Sequence, residues 1–190
     1  ASYTLRVLKK EAVTLPWLRE FSYPVRDPEN GVSNVPWDFL PEYYTRIPQM
    51  YDKEEWLHTD IFRSNPEIEP AYTEVCSGFD GILEQHGYFR EGNMYLRDPE
   101  LTGPDDEKNL PFFCHFGVTS IILSHLIGVS AAILLENFIM MPSAVTAAIA
   151  EKRTDNGAYF RIQFYGDTSH LTGGGEPVSN AGAFSTVFQG

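Results

Sequence analysis

The run Leu110-Pro111-Phe112-Phe113-Cys114-His115-Phe116-Gly117-Val118-Thr119, continued by Ser120 to Gly128, constrains the fold more than any other part of the chain. Leu110 to Cys114 is short, apolar and aromatic, as a fully buried parallel strand is. Val118, Ile121, Ile122, His125 and Leu126 then recur at helical spacing. Gly117 makes the sharp turn between the two elements. The expectation is a strand that delivers His115 to the mouth of a helix, where unpaired backbone N–H groups and the helix dipole suit an anion such as phosphate. A histidine after an apolar strand is also often a packed structural residue, so His115 needs support from the rest of the chain.

Further elements can be read on either side. Val75, Phe79, Ile82 and Leu83 form the apolar face of a helix that Gly87 stops in the left-handed conformation, with His86 as a dipole partner in its last turn. Met141-Pro142-Ser143-Ala144-Val145-Thr146 leads into a strand through Ala150. A turn at Thr154-Asp155-Asn156-Gly157 and a second strand, Ala158 to Tyr165, follow, ending at Gly166-Asp167-Thr168-Ser169-His170-Leu171. Val129 to Met141, interrupted by Glu136 and Asn137, is too short to span a bilayer and reads as a buried helix. Ser2 to Lys10 reads as a helix with Tyr3, Val7 and Leu8 on one side.

In this order, the Cys114-to-Thr119 run with its helix, the Asp167-Thr168-Ser169-His170-Leu171 run, Leu18-Arg19-Glu20-Phe21, and Ser77-Gly78-Phe79-Asp80 through His86-Gly87-Tyr88 and Arg90 resemble the histidine phosphatase superfamily, the phosphoglycerate-mutase-like enzymes. The resemblance spans Ala12 to Leu171. It implies an α/β fold: a three-layer, open, mostly parallel sheet with helices on both faces. It also implies a hydrolase or mutase that moves phosphoryl groups on a small phosphorylated metabolite, with no dissociable cofactor. Within it, His115 donates a hydrogen bond to the transferred phosphoryl group, and Glu20 occupies the position of the proton donor. Phe116, Gly117, Val118 and Thr119 add backbone donors, Thr119 adds its hydroxyl, and His170 closes the pocket from the final strand. On the residues alone, Glu20 is equally a surface carboxylate paired with Arg19 or Arg26.

The chain departs from the family pattern in two respects. Members carry an early Arg-His-Gly whose histidine accepts the phosphoryl group, and a second arginine that holds phosphate. Here His58 follows leucine, His86 glutamine, His115 cysteine, and His125 and His170 serine. The expectation is therefore the carboxy-terminal portion of such a domain, incomplete at its amino end and inactive as this chain alone. A complementing amino-terminal segment, or association with a second copy, would cover the apolar surface left open. The rival expectation is a non-catalytic protein of the same fold, a pseudoenzyme or phospho-ligand binding module that keeps the His115 pocket.

The domain reading is a single unit over 1–171, with a Pro-, Trp- and Tyr-rich insertion at 24–70 and an extension at 172–190 that ends in the apolar segment Phe184 to Phe188. In the resembling family the insertion caps the phosphate pocket. Trp37, Tyr43, Tyr44 and Trp56 are thus candidates for a substrate wall or for a small satellite core. Near Tyr51 to Leu57 the pattern suggests a helix. The net charge of −12, with only 14 lysines and arginines, argues against nucleic acid and anionic membranes as partners. Cys76 and Cys114 read as reduced thiols of a cytoplasmic protein, and the histidines lack metal-ligand spacing.

Overall fold

The computed structural model describes residues 1–100, 108–152, 154 and 156–183. The apolar segment Phe184 to Phe188, and Asp155 of the expected turn, lie outside the described residues. In chain order the elements are α1 (Ser2–Leu8), β1 (Val25–Arg26), β2 (Ser33–Asn34), α2 (Pro41–Tyr44), α3 (Asp60–Arg63), α4 (Ile68–Gln85), β3 (Tyr88–Glu91), β4 (Met94–Arg97), α5 (Phe116–Ile127), α6 (Ala131–Asn137), β5 (Val145–Lys152), β6 (Gly157–Asp167) and α7 (Ser169–Gly173). Short 3₁₀ turns occupy Pro16–Leu18, Pro48–Tyr51 and Trp56–His58. The protein is mixed α/β.

Its sheets differ from the mostly parallel sheet expected. β1 pairs with β2, and a second sheet has the order β3-β4-β6-β5, with antiparallel pairing in each ladder. Connection length explains this for two of the ladders. Gly92 and Asn93 alone separate β3 from β4, and residues 153–156 separate β5 from β6. A parallel pair needs a crossover of about a dozen residues or more, whereas an antiparallel pair closes through a tight turn. Gly92, at φ 58°, adopts the left-handed conformation that such a turn uses.

Leu110 to Cys114, expected as a buried strand, joins no ladder among the described residues. Its side chains alternate: Phe112 and Cys114 pack against the core, while Phe113 is 47% exposed. The period of two is that of a strand.

α5 is buried around most of its circumference, with Val118 and Ile121 inaccessible and Ile122, Leu123 and Leu126 nearly so. Its two buried serines satisfy their hydroxyls on the helix itself, Ser120 donating to the Phe116 carbonyl and Ser124 to that of Ile121. Gly128, left-handed at φ 72°, ends the helix. α4 and α6 pack against α5. α4 ends as expected: Gly87, at φ 79°, donates its N–H to the Glu84 carbonyl.

Four other expectations need correction. The helix read over Val129 to Met141 is confined to Ala131–Asn137, after which Phe138 turns extended and sets its ring 5.0 Å from that of Tyr165. Tyr51 to Leu57 is not a helix but part of two 3₁₀ turns, because Trp56 leaves the surface to become fully buried, edge-on to Phe62 and Tyr72. α1 stops at Leu8 and buries none of its residues. His170 lies in α7, after β6 rather than at its end.

Candidate functional site

The candidate wall residues of the aromatic segment 24–70 all pack in or against the core. Trp56 and Tyr44 are core residues, with the Tyr44 hydroxyl donating to Asn137 Oδ1 at 3.0 Å. Trp37 is only half buried and lies edge-on against Phe116 at the start of α5, with ring centroids 5.5 Å apart.

A second segment reaches the same place. The Pro16–Leu18 turn lays Trp17 on α4 so tightly that a Cβ at Gly78 would stand 2.6 Å from the indole. Phe21 is buried, 5.0 Å from the Tyr23 ring. These anchors hold Glu20 at the amino end of α5. Its Oε1 accepts the Gly117 N–H at 2.8 Å, the Val118 N–H at 3.3 Å and the Phe21 N–H at 2.8 Å. Among the described residues no ion pair joins Glu20 to Arg19 or Arg26, and Arg19 donates instead to the Tyr23 hydroxyl at 2.6 Å.

Glu20 therefore does for α5 what an N-cap side chain does, from 97 residues away along the chain. The residue at the N-cap position is His115, extended at φ −129° and ψ 172°, with an exposed side chain and no side-chain cap bond of its own. Its carbonyl accepts the Thr119 N–H at 3.0 Å and the Thr119 hydroxyl at 2.6 Å. That hydroxyl also lies 3.2 Å from Cys114 Sγ. The Thr119 donors expected to face a ligand are turned to the helix instead. Burial pushes the Cys114 thiol pKa up, against the hydrogen bond from Thr119.

Glu20, His115, Phe116, Gly117 and Val118 are thus brought together, with Trp37 beside them. His170 is exposed on α7, and among the described residues its side chain has no hydrogen bond to Glu20 or His115. The arrangement offers an exposed imidazole, a half-buried carboxylate and two helix-start amides that already bind a negative charge. No group of three or more His, Cys, Asp or Glu among the described residues is placed to hold a metal ion. No described helix is long and apolar enough to cross a membrane.

The close fit at Gly117 makes a test. A Cβ there would stand 2.7 Å from Glu20 Oε1, 2.8 Å from a Trp37 ring carbon and 3.1 Å from the Phe21 Cβ. Gly117→Ala is expected to push Glu20 and Trp37 off the helix start and to cost about 1–3 kcal/mol. Chemical denaturation reads the stability loss, and the indole emission reads the displacement of Trp37.

A second polar cluster, which the sequence reading did not single out, sits near the other end of α5. His125 Nε2 lies 2.9 Å from both carboxylate oxygens of Asp80 on α4, and the Tyr95 hydroxyl donates to Asp80 Oδ1 at 2.6 Å. Arg90 donates from Nη1 to the Tyr95 hydroxyl and to the His125 carbonyl, both at 2.8 Å. Its guanidinium also covers the Tyr95 ring. Burial disfavours the Asp80 charge, but the hydrogen bonds from His125 and Tyr95 and the nearby Arg90 outweigh it and hold the carboxyl below its ordinary pKa. A sequence signal existed: Cys76, Asp80 and Leu83 share one face of α4, and His125 falls within the apolar repeat of α5.

Comparison with protein-family models, with curated proteins and with solved structures returns no match.

Proposed function

We propose that the amino end of α5 is half of a phosphoryl-transfer site of the histidine phosphatase kind. His115 and the Gly117 and Val118 amides receive the phosphoryl group of a small phosphorylated metabolite, and Glu20 serves as proton donor. The observation that supports this reading is the Glu20 side chain on the Gly117 and Val118 N–H groups: an acidic group sits where a phosphate oxygen would, at the helix start that His115 precedes.

On this reading the nucleophile belongs to an Arg-His-Gly segment outside these 190 residues, since none of the five histidines has that setting. The missing Arg-His-Gly favours a second reading for the chain by itself, that it binds phosphorylated ligands without turning them over.

Phosphate binding tests both. In titrations of the chain with inorganic phosphate followed by NMR, His115→Ala is expected to weaken affinity about tenfold or more, the loss of one charge-assisted hydrogen bond. An unchanged affinity removes His115 from the site. Turnover of an aryl phosphate by the chain with an Arg-His-Gly segment added in trans, and none by the chain alone, separates the enzyme from the binding module.

A further inference from the structure

Residues 1–15 stand apart from the rest of the molecule in two ways. α1 buries none of its residues, and Tyr3 is 70% exposed, Val7 61% and Leu8 57%. A helix of 7 residues that packs on nothing is marginal in water, so these side chains need a surface to rest on. The segment also carries Arg6, Lys9 and Lys10 against Glu11, a net +2 on a chain of −12, which leaves −14 on the remainder. The apolar and basic groups share a face: Tyr3, Arg6 and Val7 recur at helical spacing, the Arg6 guanidinium lies over the Tyr3 ring, and the two lysines follow directly.

The complementary surface is on α4 and the residues just before it. Pro66, Glu69, Pro70, Thr73, Glu74 and Ser77 line a shallow open groove. The two proline rings supply its apolar ground, and its charge is negative. Glu69 and Glu74 are exposed, and neither forms an ion pair among the described residues. Arg19 lies in the field of Glu74 and Glu67, but its guanidinium donates to the Tyr23 hydroxyl. Apolar rings flanked by carboxylates are the counterpart of Tyr3 and Val7 flanked by Arg6 and the two lysines.

We propose that this groove receives α1 of a second copy of the chain, and that two copies exchange arms reciprocally about a two-fold axis. Within one copy Trp17 is pinned on Gly78 of the same helix, yet α1 buries no residue on it. A second copy presents the same arm free of that anchor, and the opposite charges of arm and body draw the two together. The exchange rests on these surfaces alone, whether or not the α5 start takes phosphate.

Sedimentation velocity of the whole chain, over a range of protein and salt concentrations, tests this. The expected result is a monomer–dimer equilibrium that weakens as salt rises, because the charges involved are exposed. That measurement uses the unaltered chain and depends on no variant. Two variants sharpen it: Arg6→Glu with Lys9→Glu and Lys10→Glu reverses the arm, and Glu69→Lys with Glu74→Lys reverses the groove. All these positions are exposed, and circular dichroism reads the fold of both variants. Each variant alone should raise the dimer dissociation constant about tenfold or more. A mixture of the two should restore a one-to-one dimer, since every arm then meets a groove of opposite sign. A chain that stays monomeric at every concentration, a dimer that neither reversal weakens, or a mixture that fails to re-form it overturns the proposal. Capture of the unaltered chain by anionic phospholipid vesicles without self-association also overturns it, and assigns the basic arm to a membrane surface.

Discussion

Asp80→Ala is expected to lower the stability of the protein by about 2–4 kcal/mol, the range for removing one partner from a buried, charge-assisted network. The magnitude follows from what is left behind. Tyr95 is almost wholly inaccessible, and its hydroxyl loses the acceptor it donates to at 2.6 Å. His125 loses both carboxylate oxygens, and Arg90 loses a nearby opposite charge. Asp80→Asn keeps an acceptor of the same shape and should lose less. The cost also depends on pH. Because the carboxyl is held below its ordinary pKa, its contribution is present above the ordinary carboxylate range and disappears as pH falls through the lowered value. Urea denaturation of wild type and variant at a series of pH values reads this. The gap between them should hold through neutral pH and narrow below about pH 4. A gap under about 0.5 kcal/mol at neutral pH would show that water replaces the network without loss.

The same cluster shows which parts of the fold could be read in advance. Periodicity marked α4 and α5, and Gly87 marked the end of α4, because apolar spacing and a left-handed glycine are local properties. Asp80 and His125 sat in those repeats as polar residues on apolar faces, a sign of a buried pair that was not taken up. The hairpin at Gly92-Asn93 was missed too, although glycine and asparagine between short β-prone runs are its usual signature. Antiparallel pairing followed from that hairpin and from the short β5–β6 link, whereas the apolar character of Leu110 to Cys114 had suggested a parallel sheet. Apolar composition marks a strand that packs on a core, and it does not name the neighbour. The contact of Glu20 with the Gly117 amide lies beyond any local rule, since 97 residues separate the two. Glu136 was legible only as an interruption in an apolar run; its buried, unpaired oxygen depends on the path of Phe39, which no periodicity encodes.

Glu20 carries the remaining prediction, in which stability and ligand affinity move in opposite directions. Its carboxylate now occupies the Gly117 and Val118 amides, so a phosphate entering the site must displace it and then share the site with its charge. At about 4 Å and an effective dielectric near 20, two unit charges repel by about 4 kcal/mol. Glu20 is half buried, and solvent reduces this to about 1–2 kcal/mol. Glu20→Ala should therefore bind inorganic phosphate about tenfold more tightly than the unaltered chain, although α5 loses its cap and the protein about 1 kcal/mol of stability. Glu20→Gln removes the charge and keeps the side chain, and should show a smaller gain in affinity. If Glu20 is a helix cap and nothing more, both variants lose stability while phosphate affinity stays where it was. A weaker affinity in Glu20→Ala would mean that the carboxylate orders the amides for the ligand instead of competing with it, and that charge repulsion does not govern phosphate binding at the α5 start.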